Sequence, residues 1–483
     1  MLGHVMSRLR PSAYALSRFA ERTLNETVIR VAVTGLSRSG KTVFITSLIQ
    51  NLLALGQKRN TLPSLQSALD ANGASRLLNV RIAPAGAATI PRFDFQGKLA
   101  DLASGEPAWP ARTEDLALIA LDMEIERAGP LAQKLGRRRV RLELLDYPGE
   151  WLLDLPLLSQ SYTSWSEETL RLLRRPPRRF ACADFLEFLT SADPNSLADE
   201  DAIRRGHVLY RTALEECRTR FGLRYLQPGR FLCPGPGGDA PFMWFYPIGD
   251  ADERPSPFTV AGVLRKRFET YKADMRAQFF ETHFADFDRQ IVLVDVLSAL
   301  HAGKDAFEDV EHAITQIAGN LRYGANWLPR DLGRLPVART MLGRRIERVA
   351  FAATKADHVP TMRRENLKNL LRAMAENARP AEIRGDQRVS YHTVASVLAT
   401  VDSTTMIDGH PVEVVLGLPL GEERQRPFYP GDVPSGQPPE SFWSDRFFEL
   451  PVFAPPRIDP SGAAGIPHLG VDGVLTALLK DVL

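Results

Sequence analysis

Apolar positions along this chain fall into short β-type runs and longer helical stripes, the pattern of an α/β protein. VIRVAVTG (28–35) is apolar and rich in β-branched residues, which predicts a buried strand. VFITSLIQNLLALG (43–56) follows with apolar residues at helical spacing. ALIALDMEIER (117–127) alternates cleanly: Ile119, Leu121, Met123 and Ile125 lie on one face, Asp122, Glu124 and Glu126 on the other. That period of two predicts a half-buried strand. VRLELLDYPG (140–149) alternates again after a loop ending in Arg137-Arg138-Arg139, so the pair reads as an antiparallel hairpin. QIVLVDVLSAL (290–300), RVAFAATKAD (348–357) and RVSYHTVAS (388–396) predict further strands, and DGVLTALLKDVL (472–483) a final helix packed on the sheet.

The stretch between the first strand and the first helix changes the picture. GLSRSGKT, Gly35 to Thr42, fits the pattern G-x-x-x-x-G-K-[ST] at every fixed position. Gly35 and Gly40 would let the backbone curl, so that the N–H groups of Gly35, Ser37, Arg38, Ser39, Gly40, Lys41, Thr42 and Val43 make a nest for phosphate oxygens. The helix dipole adds to the attraction. The Lys41 ammonium would reach the β- and γ-phosphates, and the Thr42 hydroxyl would ligate Mg²⁺. These features predict a nucleoside-triphosphate site.

Three further elements follow in order. The hairpin's second strand ends at Asp146-Tyr147-Pro148-Gly149, a D-x-x-G in which Asp146 would hold the Mg²⁺ shell through water and the Gly149 N–H would meet the γ-phosphate. A plain β-turn is the competing reading. Thr354-Lys355-Ala356-Asp357 looks like the [NT]-K-x-D base-reading motif of GTP-binding proteins. Asp357 would accept hydrogen bonds from the guanine N1–H and exocyclic amine, whereas adenine has no donor at N1. Lys355 would lie along the base. Thr393-Val394-Ala395-Ser396 resembles the loop in which an alanine N–H, here Ala395, meets the guanine carbonyl, with Ser396 next to it.

WPARTED (109–115) precedes the hairpin. Thr113 stands where GTPases place the switch threonine that ligates Mg²⁺, or it caps a short helix ahead of Glu114 and Asp115. Arg112 is either a catalytic arginine acting in cis or a solvated charge.

With these elements in order, the chain resembles a Ras-like or translation-factor-like GTPase core. GLSRSGKT, WPARTED, LLDYPGEWLLDLPLL and LVDVLSALHAGKD more closely resemble the YcjX family of bacterial P-loop proteins, over nearly the whole chain. The resemblance implies GTP binding and hydrolysis with Mg²⁺, cytoplasmic residence and an association with stress responses. Glu150 departs from Ras-like sequences, which carry glutamine there to orient the attacking water. A carboxylate near phosphate is repelled unless shielded or protonated, so slow turnover is expected. A nucleotide-gated adaptor with negligible hydrolysis, and an ATPase in which TKAD is accidental, remain alternatives.

The chain's 483 residues exceed a minimal core of about 170–200 residues. The expected fold is therefore an α/β P-loop NTPase with a mixed, Ras- or Gα-like sheet and a large, mostly helical insertion. The expected layout is an N-terminal helical extension at 1–27, core at 28–149, helical insertion at 150–288, core at 289–403, and a Pro-rich loop with the C-terminal helix at 404–483. Spans 57–110 and 418–460, rich in Pro and Gly, read as long loops. A protein partner acting on the insertion would couple to the nucleotide state. Net charge +2 gives no argument for nucleic acid, and no apolar run is long enough to span a membrane. The basic run RLLRRPPRRF (171–180) is a solvated loop or a docking patch for an acidic partner or anionic lipid. Cys182, Cys217 and Cys233 lack zinc spacing and fit a reducing compartment. Asp295, ending a buried strand, reads as structural rather than as a second metal-binding acid.

Overall fold

The structure, a computed structural model, describes residues 26–71, 76–84, 90–111, 115–126, 136–235, 240–251, 254–277, 287–320, 346–377, 388–407, 409–444, 450–459 and 461–482. The helix expected at 1–27 lies outside them except for Glu26 and Thr27, which begin the first strand. The strands are β1 (Glu26–Gly35), β2 (Arg76–Ile82), β3 (Ala117–Glu126), β4 (Arg138–Asp146), β5 (Arg289–Val294), β6 (Arg348–Ala353) and β7 (Val389–Thr393). They form one sheet in the order β2-β3-β4-β1-β5-β6-β7. β4, β1, β5, β6 and β7 run parallel, and β3 runs antiparallel to both of its neighbours.

The β3–β4 hairpin keeps the register its alternation predicts. Ile119, Leu121, Met123 and Ile125 are buried, while Asp122 on the opposite face accepts from Arg141 Nε at 2.8 Å across the pair. Alternation also splits the central strands between two cores. Ile29, Val31, Val33, Ile291 and Leu293 face one layer, and Ala32, Val292 and Val294 face the other.

The first layer holds α1 (Lys41–Gly56), α2 (Pro63–Ala71) and the C-terminal helix α12 (Val471–Leu479). The buried Val471, Val474, Leu475, Leu478 and Leu479 of α12 seat it there, each contributing about 1.5–3 kcal/mol. Gly56 is the last residue of α1, and a Cβ there would lie 2.6 Å from Val80 N, so its smallness lets β2 approach the helix. Span 57–110 is thus not simply loop: it carries α2, the edge strand β2 and α3 (Phe95–Ala103). Its Pro and Gly residues separate these elements.

On the other layer, between β4 and β5, come a 3-10 helix (Gly149–Ser159), α4 (Tyr162–Leu173), α5 (Arg178–Ala181), α6 (Ala183–Ser191), α7 (Glu200–Arg220) and α8 (Val260–Met275). They share one apolar cluster with α9 (Val296–Ala302), α10 (Lys304–Asn320) and α11 (Thr361–Asn377). β8 (Thr400–Ile407), β9 (His410–Gly417) and β10 (Arg426–Phe428) form a separate antiparallel sheet that the sequence pattern did not predict. Among the described residues, no helix is long and apolar enough to cross a membrane.

Candidate functional site

Parallel pairing brings the ends of five strands to one edge of the sheet. Val33 stands opposite Asp146, Gly35 opposite Leu293, Val294 opposite Ala353, and Ala353 opposite Thr393. Every candidate residue within the described spans follows directly from one of those ends. The crevice at the carboxyl ends of parallel strands, at the point where the chain has laid β2, β3 and β4 on one side of β1 and crosses to lay β5, β6 and β7 on the other, is where such sheets bind ligands.

The loop from Gly35 to Gly40 joins β1 to α1. Ser39 N donates to Leu36 O at 3.0 Å, which closes the turn. Gly40 has φ 80°, a left-handed conformation that favours glycine. Arg38 also adopts positive φ, 66°, without being glycine, at a cost on the order of 1 kcal/mol. Gly35 serves a different purpose from the curl expected of it. A Cβ there would lie 2.6 Å from Leu293 O and 2.2 Å from Ser39 Oγ, so it is the close packing that requires a missing side chain.

No side chain caps the start of α1, and no acidic residue lies in its first turn. The first N–H groups are thus left for an anion, with Lys41 and Val43 half-buried and Thr42 buried beside them. Ser37 is half-buried, and Arg38 is exposed. The buried Ser39 hydroxyl has no hydrogen-bond partner among the described residues.

Asp146 ends β4 and is 1% exposed. Three residues on, Gly149 begins the 3-10 helix against the phosphate loop itself: a Cβ on Gly149 would sit 2.5 Å from Gly35 O and 3.0 Å from Leu36 N. The D-Y-P-G segment is therefore packed into the loop and continues as helix, not as an isolated turn. Glu150 follows and is buried. Its carbonyl is covered by Gly229, where a Cβ would lie 2.0 Å away. Arg112 and Thr113 lie outside the described residues.

Lys355 follows Thr354 with φ 59°, and its Nζ lies 2.5 Å from Asp295 Oδ2 and 3.3 Å from Ser298 Oγ. Asp295 caps α9 through Ser298 N at 3.0 Å. Burial opposes the Asp295 charge most, but the Lys355 ammonium and the hydrogen bonds from Lys355 and Ser298 outweigh it and hold the carboxyl below its ordinary value. Asp295 thus positions the lysine, which agrees with its structural reading. Asp357 is 3% exposed in a short helical turn, and its Oδ2 accepts from Ala399 N at 2.9 Å.

Ala395 departs from its expected role. Its N–H donates to Leu469 O at 2.9 Å, and Leu469 N donates back at 2.8 Å. The amide assigned to the guanine carbonyl is occupied by that bridge, and a base contact there requires the bridge to open. Ser396, next in line, is half-buried.

Arg224 follows α7, and its Nη1 donates to Arg218 O at 3.2 Å and Leu223 O at 3.0 Å. Burial holds its guanidinium below the ordinary arginine value, with Asp295 and Glu150 favouring the charge and Arg38 opposing it.

The model of the YcjX-like family, DUF463, matches residues 29–483. The chain belongs to the YcjX-like family. It is 35% identical to a Ras-like GTPase YcjX of Escherichia coli (strain K12) over 487 residues, covering 99% of this chain and 100% of that protein. It is 32% identical to a Ras-like GTPase YcjX of Shewanella oneidensis over 498 residues, covering 99% of this chain and 100% of that protein. The mixed α/β sheet described here is consistent with a GTPase-like core of the phosphate-loop type.

Proposed function

We propose that this chain binds GTP and GDP, and with Mg²⁺ hydrolyses GTP to GDP and phosphate as a slow switch. The observation that carries the reading is the contact of Gly149 with Gly35, which ties the expected γ-phosphate sensor to the phosphate loop. The uncapped start of α1 and the unpartnered Ser39 hydroxyl support an anion seated there. The buried hydroxyl of Thr42 and the carboxylate of Asp146 suit a hard cation, with Thr113 as a further ligand. Mg²⁺ held there would neutralise charge on the phosphate oxygens.

In the reaction, water adds to the γ-phosphorus as its bond to the β–γ bridging oxygen breaks. The electron pair remains on GDP and the water proton leaves with phosphate. Lys41 neutralises charge on the transferring group, and Lys355 and Asp357 read the guanine. In this reading residues 28–149 and 289–403 form the core, and the helices of 150–288 are an insertion attached to the sensor, on which a protein partner acts. Cytoplasmic residence and a role in stress responses belong to the same reading.

Phosphate release over hours from GTP and Mg²⁺ tests it, in the unaltered chain and in Arg112→Ala and Glu150→Gln. Release that depends on these residues supports the enzyme. The same near-zero rate in all three ends the GTPase claim and favours a nucleotide-gated adaptor.

A further inference from the structure

The second sheet, β8 to β10, has no part in the nucleotide reading, yet its first residues grip the turn that carries Asp357. That turn, Ala356–His358, lies between β6 and α11 and follows Lys355, whose φ of 59° is left-handed. Such a backbone persists where its surroundings hold it. Ala399 N donates to Asp357 Oδ2 at 2.9 Å, and the buried Thr400 hydroxyl donates to Asp357 O. Phe453 packs on the same sheet at Gly417, where a Cβ would lie 2.5 Å from its ring. That ring also meets His358 edge-on, with centroids 4.8 Å apart.

Arg364, in the first turn of α11, closes the grip. Its Nε donates to Ala356 O and to Val359 O, each at 3.0 Å, so one guanidinium nitrogen spans both ends of the turn. Nη1 donates to Thr361 Oγ1 at 2.8 Å, and Nη2 donates to Asp402 Oδ1 of β8 at 2.8 Å. The other Asp402 oxygen accepts from Thr361 N at 3.1 Å and from the Thr361 hydroxyl. Arg364, Thr361 and Asp402 thus close a ring of hydrogen bonds between α11 and β8.

Base choice gives this ring a use. A carboxylate oxygen has two acceptor positions, so Asp357 Oδ2 holds Ala399 N with room for a base amine. Paired bonds to the N1–H and the exocyclic amine of guanine tolerate little rotation of the carboxylate. The Ala399 bond fixes that rotation, and Arg364 fixes the backbone beneath it. We propose that Arg364 and Asp402 are positioning residues for base selection, which tie the Asp357 turn to β8 and make the second sheet the support for guanine recognition. The inference rests on the reading of Asp357 proposed above. A loosened turn keeps one bond to the base through a shifted carboxylate and loses the other.

Inosine diphosphate carries the N1–H and carbonyl of guanine without the exocyclic amine, so the ratio of GDP to IDP affinity reports the second bond alone. The test compares Arg364→Gln and Asp402→Ala with the unaltered chain. Arg363→Ala, an exposed neighbour paired to Asp432 at 2.6 Å, is the control. Competition binding reads both affinities, and melting temperature reports folding. We expect the preference for GDP over IDP to fall about tenfold in R364Q and D402A, with IDP affinity within about threefold and R363A unchanged. Arg364→Lys keeps the charge without the planar fork and falls between. A purely structural role moves the two nucleotides together, because they share their phosphates and N1–H. If both affinities fall equally, or neither changes, the ring only anchors α11 and the inference is overturned, while the nucleotide reading stands. Should R364Q melt early, D402A decides by the same ratio, since the Asp402 side chain is 43% exposed on an edge strand. If the unaltered chain binds GDP no better than IDP, Asp357 does not read the amine, and the base reading fails and takes the inference with it.

Discussion

Gly149 sits so close to Gly35 that a methyl group on it would lie 2.5 Å from the Gly35 carbonyl oxygen and 2.6 Å from its carbon. The neighbouring atoms are backbone, so they cannot swing aside as a flexible side chain does. Gly149→Ala therefore displaces either the phosphate loop or the start of the 3-10 helix. Overpacking of this kind costs about 1–3 kcal/mol. Thermal melting should fall by several degrees, and calorimetry should show weaker binding of a GTP analogue. Unchanged melting and affinity would mean that the two glycines do not constrain each other.

Asp295 and Lys355 make the second link across the strand ends. Asp295→Ala removes the helix cap of α9 and leaves the ammonium of Lys355 without its carboxylate. Because the Lys355 side chain is 35% exposed, water relieves part of the loss, and about 2 kcal/mol is expected rather than the larger cost of a fully buried pair. Denaturant unfolding measures it. Guanine-nucleotide affinity should fall with it, since Lys355 is released from its place. Equal stability of both proteins would show that the pair is dispensable.

Base choice rests on Asp357. Asp357→Asn keeps an acceptor for Ala399 N but loses the charge, so two charge-assisted bonds to guanine become weaker or are lost. GTP affinity is expected to drop by about 100-fold and xanthosine triphosphate to gain, as read by competition binding. Unaltered guanine affinity would reassign the base site.

The hairpin was legible because strict alternation fixes both strand type and register, and the candidate motifs could be placed at strand ends because they are local. What was hidden has a physical reason in each case. β2 lies in a stretch punctuated by Gly and Pro, and becomes a strand by pairing with β3 at the sheet edge. The β8–β9 hairpin carries Thr, Asp and Ser at positions with little burial, so its pattern is faint. The Ala395–Leu469 bridge joins residues far apart in sequence. Gly35 was recognised as necessary, but for the curl of a loop when the neighbouring strand is what demands it.

A pH effect follows from Asp154, which is fully buried between the 3-10 helix and α8. It accepts from Gly229 N, Arg230 N and Tyr271 Oη, yet burial dominates these bonds and the nearby Arg230 charge, and its carboxyl is pushed up to about 6. Between about pH 4 and 6 the folded chain then holds a proton that the unfolded chain has lost. Its contribution to stability falls as pH rises through that window, by up to about 1.4 kcal/mol for each pH unit, and does not change further above it. Asp154→Asn removes the ionisation, so the variant should gain stability relative to the unaltered chain from pH 4 to pH 6. Parallel unfolding curves at the two pH values would contradict the assignment.

The account depends most on the loop before α1 being a seat for a triphosphate. Titration calorimetry of a non-hydrolysable GTP analogue into the unaltered chain and into Lys41→Ala, with the ATP analogue in parallel, measures this directly. The expected result is binding of the guanine analogue in preference to the adenine one, lost in K41A while its melting temperature stays the same. Equal heats for K41A and the unaltered chain, or no guanine binding by either, would contradict it.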